Sequence, residues 1–221
     1  MNPIIAANWK MNTTIDDGLN LIENVLNDSS PEKSRIIFFP PFIALSAITE
    51  KLKNSGYYVG AQNIHHEESG AFTGEISIEM IKSLDVHYVI VGHSERRQYF
   101  LESDQKVNLK AKNALAANIC PLICVGESLE ERQAGKTLEV LKKQLISALR
   151  NIKRDVKSFI VAYEPVWAIG SGEVANLEQI RDAHNFINEI TDNLFEKQIP
   201  ILYGGSVNAQ NASDLFQVEN V

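Results

Sequence analysis

Polar side chains that could move a proton stand at the ends of short apolar runs in this sequence. Glu164 ends one run and precedes Pro165, which favours an extended backbone at Glu164. A carboxylate beside apolar walls gains proton affinity and can serve as a general base. His93 lies between the end of another run and the acidic start of a predicted helix, where backbone N–H groups disfavour the imidazolium and Ser94 could act as the cap. A neutral imidazole can donate a hydrogen bond to a carbonyl oxygen.

Each of these residues also has a purely structural explanation. Glu164 could pair with a nearby arginine or lysine, and His93 could do no more than bond the next turn. Lys10, which follows Asn8 at the end of the first run, could be an ordinary solvated lysine. Many polar residues share this position, however, and in parallel α/β folds that edge binds ligands. The further ones are Gln62, Asn63, Glu95, Glu127 and the Gly204-Gly205-Ser206 segment.

Two glycine-containing segments are candidates for binding an anionic group. The run from Ile169 to Gly172 contains Gly170 and can bring backbone N–H groups close to an anion. Gly204, Gly205 and Ser206 are expected to open a helix, and helix starts bind phosphate. A tight turn from strand to helix explains each segment equally well.

The elements that position these residues are predicted by hydrophobic pattern. Most of the apolar runs are apolar at successive positions, which is typical of strands buried on both faces in a parallel sheet. Amphipathic stretches separate them, the clearest between Leu177 and Leu194. The alternation predicts an α/β fold, either a doubly wound sheet or a (β/α)8 barrel, and no linker interrupts the single domain over residues 1–221. The runs are Ile4–Ala7, Ile36–Phe39, Tyr57–Ala61, Tyr88–Val91, Leu122–Val125, Phe159–Tyr163 and Ile199–Tyr203.

Composition excludes several classes of partner. A formal net charge of −7 over 221 residues disfavours nucleic acid, although local cations could still bind a small anion. No stretch approaches the roughly 18 apolar residues of a membrane span. Cys120 and Cys124 would lie about 13 Å apart in a strand, too far for a disulfide, and free thiols indicate a cytoplasmic protein. The His65–Glu68 cluster lacks a metal-ligand pattern, so no metal is expected.

Five longer segments of the sequence resemble segments of triosephosphate isomerases and occur in the same order as in that family. The likeness covers the chain from residue 4 to its end. It includes a loop that, in this family, reaches into a partner subunit and here contains Thr73. The segments are Ala7–Asn12, Gly70–Glu75, Val91–Arg97, Ala162–Gly170 and Tyr203–Val207.

The resemblance implies a (β/α)8 TIM barrel, a homodimer and the interconversion of dihydroxyacetone phosphate and D-glyceraldehyde 3-phosphate in glycolysis and gluconeogenesis, without metal or organic cofactor. It implies that Glu164 removes a proton from carbon while neutral His93 polarises the carbonyl. Lys10 and Asn8 would stabilise the enediolate and hold the substrate. Further implied roles are phosphate binding by Gly170, Gly204, Gly205 and Ser206, and support of the catalytic groups by Ser94 and Glu95. A lid with hinges at residues 165–167 and 173–175 would be latched closed by Tyr203 with Ser206.

The family pattern continues with an eighth strand and a final helix, whereas this sequence ends at Val221. The 221 residues are therefore expected to form a barrel that is incomplete at its C-terminal end. Two alternatives remain open from the sequence. One is an inactive, truncated barrel scaffold, and the other is a class I aldolase-type enzyme that forms a Schiff base through Lys10.

Overall fold

A computed structural model describes residues 3–28, 31, 34–169 and 175–221. The chain forms two compact units. The first comprises Met1–Val91 and Asn113–Pro121, and the second comprises Gly92–Lys112 and Leu122–Val221. The single domain expected from the sequence stays a prediction, and each unit is described by itself.

The first unit is built on parallel strands that pair in the order of the sequence. Ile4 lies opposite Arg35, Ile37 opposite Tyr58, and Gly60 opposite Tyr88. Thr14 and Asp17 exchange hydrogen bonds between side chain and backbone, which fixes the start of the first helix. The elements are β1 (Ile4–Asn8), α1 (Ile15–Asp28), β2 (Arg35–Phe39), α2 (Phe42–Leu52), β3 (Tyr58–Ala61), α3 (Ile78–Lys82) and β4 (Tyr88–Val91).

The second unit repeats the same plan. Leu122 lies opposite Ile160, and Val161 lies opposite Ile201, again in parallel pairs. The elements that contribute to it are α4 (Ser94–Tyr99), α5 (Asp104–Ala116, up to Lys112), β5 (Cys120–Val125, from Leu122), α6 (Leu129–Gln133), α7 (Thr137–Ala148), β6 (Ile160–Tyr163), α8 (Leu177–Phe195), β7 (Ile201–Tyr203) and α9 (Ala212–Leu215).

Helix α8 shows how the sequence specifies these elements. Asn176 accepts the backbone N–H of Gln179 while the Gln179 side chain accepts the N–H of Asn176, a capping box that starts the helix. The centre of the apolar stripe expected from the pattern is buried, with Ile180 and Ile187 both fully buried, whereas Leu177 at its start is exposed. The stripe also contains His184, which has no exposed surface. Local capping and burial of one face therefore agree on the position of this helix.

The strands confirm the α/β prediction. All residues of β4 and β6 are buried, as successive apolar positions indicated. Within each unit consecutive strands are neighbours, without the order reversal of a doubly wound sheet, which favours the barrel alternative. Cys120 and Cys124 are free thiols. None of the helices in the described part of the chain is long and apolar enough to cross a membrane.

Candidate active site

Glu164 lies directly after β6 and is held facing His93. Its side chain is buried, with 5% of the residue exposed. One carboxylate oxygen, Oε2, accepts the backbone N–H of Ser94 at 2.8 Å. The other, Oε1, lies 3.4 Å from Nε2 of His93. A side chain at Gly204 would place its Cβ 2.9 Å from Cγ of Glu164, so glycine leaves the space that the carboxylate occupies.

His93 is itself the N-cap of α4, and its imidazole has a defined orientation. Nδ1 accepts the backbone N–H of Glu95 at 3.2 Å. A ring nitrogen that accepts an N–H carries a lone pair, so the proton of the neutral ring is assigned to Nε2, which faces Glu164. Glu95 also contributes a carboxylate, whose Oε2 lies 3.7 Å from Nδ1. The arrangement combines a carboxylate that can accept a proton with an N–H that can be donated.

The expectation that Ser94 caps this helix is wrong. Ser94 is the first residue of α4, and the cap is His93, whose imidazole accepts the N–H of Glu95. The N–H groups of Arg96 and Arg97, which a serine cap at position 94 would have bound, donate to the carbonyl of His93. Ser94 instead donates its own backbone N–H to Glu164. Its hydroxyl is buried without a hydrogen-bond partner among the described residues. Ser94 therefore supports the carboxylate through the main chain.

Cys124 on β5 contacts the carboxylate of Glu164. Burial, followed by the negative charge of Glu164, raises the pKa of this thiol well above its usual range. The side chain is therefore a protonated thiol at neutral pH. Since the thiolate is the nucleophilic form, Cys124 is unsuited to nucleophilic chemistry here.

Glu127 organises the segment that follows Glu164 and was not assigned a role from the sequence. The residue has no exposed surface, and its Oε1 accepts hydrogen bonds from Tyr163 Oη at 3.1 Å, Trp167 Nε1 at 3.0 Å and Arg132 at 3.1 Å. Burial, followed by the charge of Glu127, raises the pKa of Tyr163, which keeps that phenol a donor. From the sequence, Glu127 was only a glutamate at the end of a strand. Its role was not visible because the three donors that bind it lie at separate positions in the chain.

The segment after β7 lies beside the same region but does not begin a helix, so that expectation is wrong. Ser206 Oγ donates to the carbonyl of Ala168 at 2.8 Å, and Gly204 N–H donates to Tyr163 O at 2.8 Å. Helix α9 starts only at Ala212. The side chains of Asn208 and Asn211 bond nearby backbone N–H groups and form a turn first.

Tyr203 and Gly205 adjoin an apolar cluster of the second unit. A Cβ at Gly205 would lie 2.2 Å from the Tyr203 hydroxyl, so the ring packs directly on the glycine. Tyr203 and Trp167 both pack against a cluster made of Ala175, Ile180, Leu215 and Val218. Burial raises the pKa of Tyr203, so its hydroxyl stays protonated. Gly170, predicted to bind phosphate, and residues 171–174 of the predicted lid lie outside the described residues.

Asn8, Lys10 and Thr73 belong to the first unit. Asn8 ends β1, and its Oδ1 accepts the backbone N–H of Lys10 at 3.0 Å. Lys10 adopts a left-handed backbone conformation with φ of 54°, and Gln62 Nε2 donates to its carbonyl at 2.8 Å. A non-glycine residue held in this region is a feature that clusters at functional sites. Thr73 lies in an exposed loop.

The described residues contain no group of three His, Cys, Asp or Glu side chains able to hold a metal ion. His65 and His66, which were rejected as metal ligands from the sequence, stack their rings with centroids 4.3 Å apart, and His65 also stacks on Phe72 at 4.2 Å. These residues therefore form a packed aromatic group.

Comparison with known proteins gives a consistent result over the whole chain. A family model described as Triosephosphate isomerase matches residues 3–221. Proteins named Triosephosphate isomerase from Alkaliphilus oremlandii and Lawsonia intracellularis are 41% and 43% identical, covering 99% and 100% of this chain and 90% of each relative. One from Clostridium botulinum (strain Langeland) is 44% identical over 92% of this chain and 84% of its own length. The family match confirms the (β/α)8 barrel as the fold class.

Proposed function

The chain belongs to the triosephosphate isomerase family, and from that premise we propose that it interconverts dihydroxyacetone phosphate and D-glyceraldehyde 3-phosphate. The observation that carries the proposal is the pairing of Glu164 and His93. A buried carboxylate oxygen faces Nε2 of the imidazole at 3.4 Å, and the opposite ring nitrogen is occupied by a backbone N–H. Aldose–ketose isomerisation requires a base of this kind and a donor for the neighbouring oxygen.

Glu164 is the proposed base. Its carboxylate removes the proton from the carbon next to the substrate carbonyl and returns it to the adjacent carbon. The Nε2–H of neutral His93 donates to the carbonyl oxygen as negative charge develops there, and the ring then relays a proton between the two oxygens. Each preorganised donor of this type contributes about 10²–10³ in rate. Burial of both side chains supports the proposal, because their interactions strengthen where water is excluded.

The remaining substrate contacts are assigned by family membership. Lys10 and Asn8 are proposed to hold the substrate and stabilise the enediolate, and the constrained backbone of Lys10 supports a positioning role. Gly204, Gly205 and Ser206 are proposed to bind the phosphate through backbone N–H groups, together with Gly170. The bond from Ser206 to Ala168 supports the proposed latch, because it joins the phosphate segment to the residue that follows the first predicted hinge of the lid.

The two alternatives from the sequence have less support. A class I aldolase needs a lysine that forms a Schiff base, which would be Lys10. That mechanism leaves the pairing of Glu164 with His93 without a role. An inactive scaffold has no need for the buried carboxylate and oriented imidazole found together here. Trapping with borohydride and dihydroxyacetone phosphate separates the aldolase from the isomerase, since isomerisation leaves no covalent adduct.

We also propose that the chain acts as a cytoplasmic homodimer. Its two free cysteines suit a reducing compartment. Large apolar side chains are exposed within and shortly after the predicted dimer loop, including Phe72 and Met80, and contiguous exposure of this kind marks interaction surfaces. In the second unit, Tyr99, Phe100 and Leu101 form a consecutive exposed run. Light scattering of the purified chain should give twice the monomer mass of 24.7 kDa.

The test of the activity is a coupled assay of the purified chain in both directions, with Glu164→Gln as the matched variant. The amide has nearly the same shape as the carboxylate but cannot accept the proton. We expect turnover to fall by about 10²–10⁴-fold while the thermal midpoint changes little. A wild-type chain without activity contradicts the proposed function, and an active Glu164→Gln variant removes Glu164 as the base.

A further inference from the structure

Both backbone polar groups of Gly92, the residue before His93, are held by charged side chains. The Gly92 N–H donates to Glu102 Oε1 at 2.9 Å, and the Gly92 carbonyl accepts Nε–H of Arg97 at 2.8 Å. Gly92 has a φ of +74°, and a Cβ there would lie 2.8 Å from Val107. The turn that precedes His93 therefore has a backbone conformation that only glycine adopts easily. One ionic side chain binds its N–H group, and another binds its carbonyl.

The guanidinium of Arg97 links this turn to β5, the strand that is hydrogen-bonded to the backbone of Glu164. Besides Gly92, it bonds Asp104 Oδ1 at 2.6 Å and the carbonyl of Cys124 at 3.2 Å. The next residue of that strand, Val125, accepts the backbone N–H of Glu164 at 2.8 Å. The planar guanidinium of Arg97, whose donor directions are fixed, thus connects the turn before His93 with the strand that binds the backbone of Glu164.

Glu102 is held equally firmly on the other side. It is 4% exposed, and its second oxygen accepts Arg96 Nε at 2.9 Å and Lys110 Nζ at 2.6 Å. Burial acts to raise the pKa of Glu102, but the charge of Lys110 and the bonds from Lys110 and Arg96 outweigh it, so the pKa is lowered. The carboxylate is therefore ionised at neutral pH and anchored on its own cations.

We propose that Arg97 and Glu102 are positioning residues that set the imidazole of His93 against Glu164 through the two polar groups of Gly92. This inference rests on the proposed isomerase function. Neither side chain contacts the reacting groups directly; both act through the backbone before His93. The competing explanation is that these ionic contacts stabilise the fold without affecting the orientation of the ring.

The test uses Arg97→Lys, which keeps the charge and can keep the pair with Asp104 but cannot reach three acceptors at once. We expect kcat to fall by about 10²-fold with KM changed less than about twofold, because small misplacement of a catalytic group has effects of that size. The matched control is Arg154→Lys, whose exposed arginine pairs on the surface with Glu196, a residue outside the His93 segment. The control should retain full turnover.

A second readout distinguishes positioning from stability. The ¹⁵N spectrum of the His93 imidazole in the free protein should show Nε2 protonated in the wild-type chain. The Nδ1 resonance should shift or broaden in Arg97→Lys. Asp104→Asn, which loosens Arg97 without removing it, should give the same changes at smaller size. If Arg97→Lys does not fold, Asp104→Asn provides both measurements.

The outcomes separate this inference from the proposed function. A lowered thermal midpoint with unchanged kcat and an unchanged His93 spectrum overturns the positioning role and leaves the isomerase proposal standing. Absence of isomerase activity in the wild-type chain overturns the proposed function. In that case the imidazole spectrum still decides whether Arg97 orients His93.

Discussion

Acid should destabilise this protein through His184, a histidine that the proposed reaction does not use. The residue is fully buried on α8, its Nδ1 lies 2.8 Å from the carbonyl of Asn220, and its ring packs edge-on against Tyr163. Its other nitrogen, Nε2, has no hydrogen-bond partner among the described residues. Burial, opposed only in part by the bond to Asn220, lowers the pKa of His184 to about 4.

The magnitude follows from linkage between protonation and folding. The unfolded chain binds the proton with a pKa near 6.5 while the folded chain resists it down to about 4. The stability that neutral His184 contributes to folding is fully present above about pH 6.5. It is lost as the pH falls from about 6.5 to about 4. The two pKa values differ by about 2.5, so the full loss is about 3.4 kcal/mol at about 1.36 kcal/mol for each tenfold change in proton affinity. Between pH 7 and pH 5 the loss amounts to about 1.8 kcal/mol.

The assay is urea unfolding at pH 7, 6 and 5 at one fixed protein concentration, comparing the wild-type chain with His184→Gln. Glutamine can donate an N–H to the Asn220 carbonyl but does not titrate, so other ionisable groups cancel in the comparison. The wild-type chain should lose about 1.8 kcal/mol more than the variant between pH 7 and pH 5. Parallel pH dependences for the two proteins would refute the reasoning.

Two further substitutions test the surroundings of the site. Gly204→Ala places a Cβ 2.9 Å from Cγ of Glu164, so the carboxylate must move, and kcat should fall by about 10²-fold with the fold intact; unchanged kcat contradicts the close packing. Tyr163→Phe removes one donor from the buried Glu127 and should lower the free energy of unfolding by about 1–3 kcal/mol in urea titration, whereas an unchanged value would show that this hydrogen bond is dispensable.

The sequence predicted the fold well because the strands are short apolar runs whose pattern depends only on burial. The observed strands begin and end within two residues of the predicted runs; β7, for example, starts at Ile201 where the apolar run starts at Ile199. The sequence also placed Glu164 and His93 near the ends of strands, and the structure brings their side chains within 3.4 Å of each other, whereas their catalytic roles stay predictions. The family match then selected the barrel from the two α/β alternatives.

The errors concern local competition between hydrogen-bond acceptors. Ser94 is a good capping residue by type, but the helix starts one residue earlier, with the imidazole of His93 accepting the N–H of Glu95 and the carbonyl of His93 accepting the next two N–H groups. Ser206 was expected to start a helix, but two asparagines form a turn before α9. Glu127 could not be assigned because Tyr163, Trp167 and Arg132 converge on it only in the folded unit. Such choices depend on distances that residue types do not reveal.

The claim that Glu164 removes a proton from carbon is tested most directly by isotope exchange. The purified chain is incubated with dihydroxyacetone phosphate in D₂O, and deuterium at the carbon next to the carbonyl is followed by proton NMR. If Glu164 is the base, the wild-type chain should incorporate solvent deuterium during turnover. The Glu164→Gln variant should incorporate it at least about 10²-fold more slowly. Equal incorporation by the two proteins would contradict that claim.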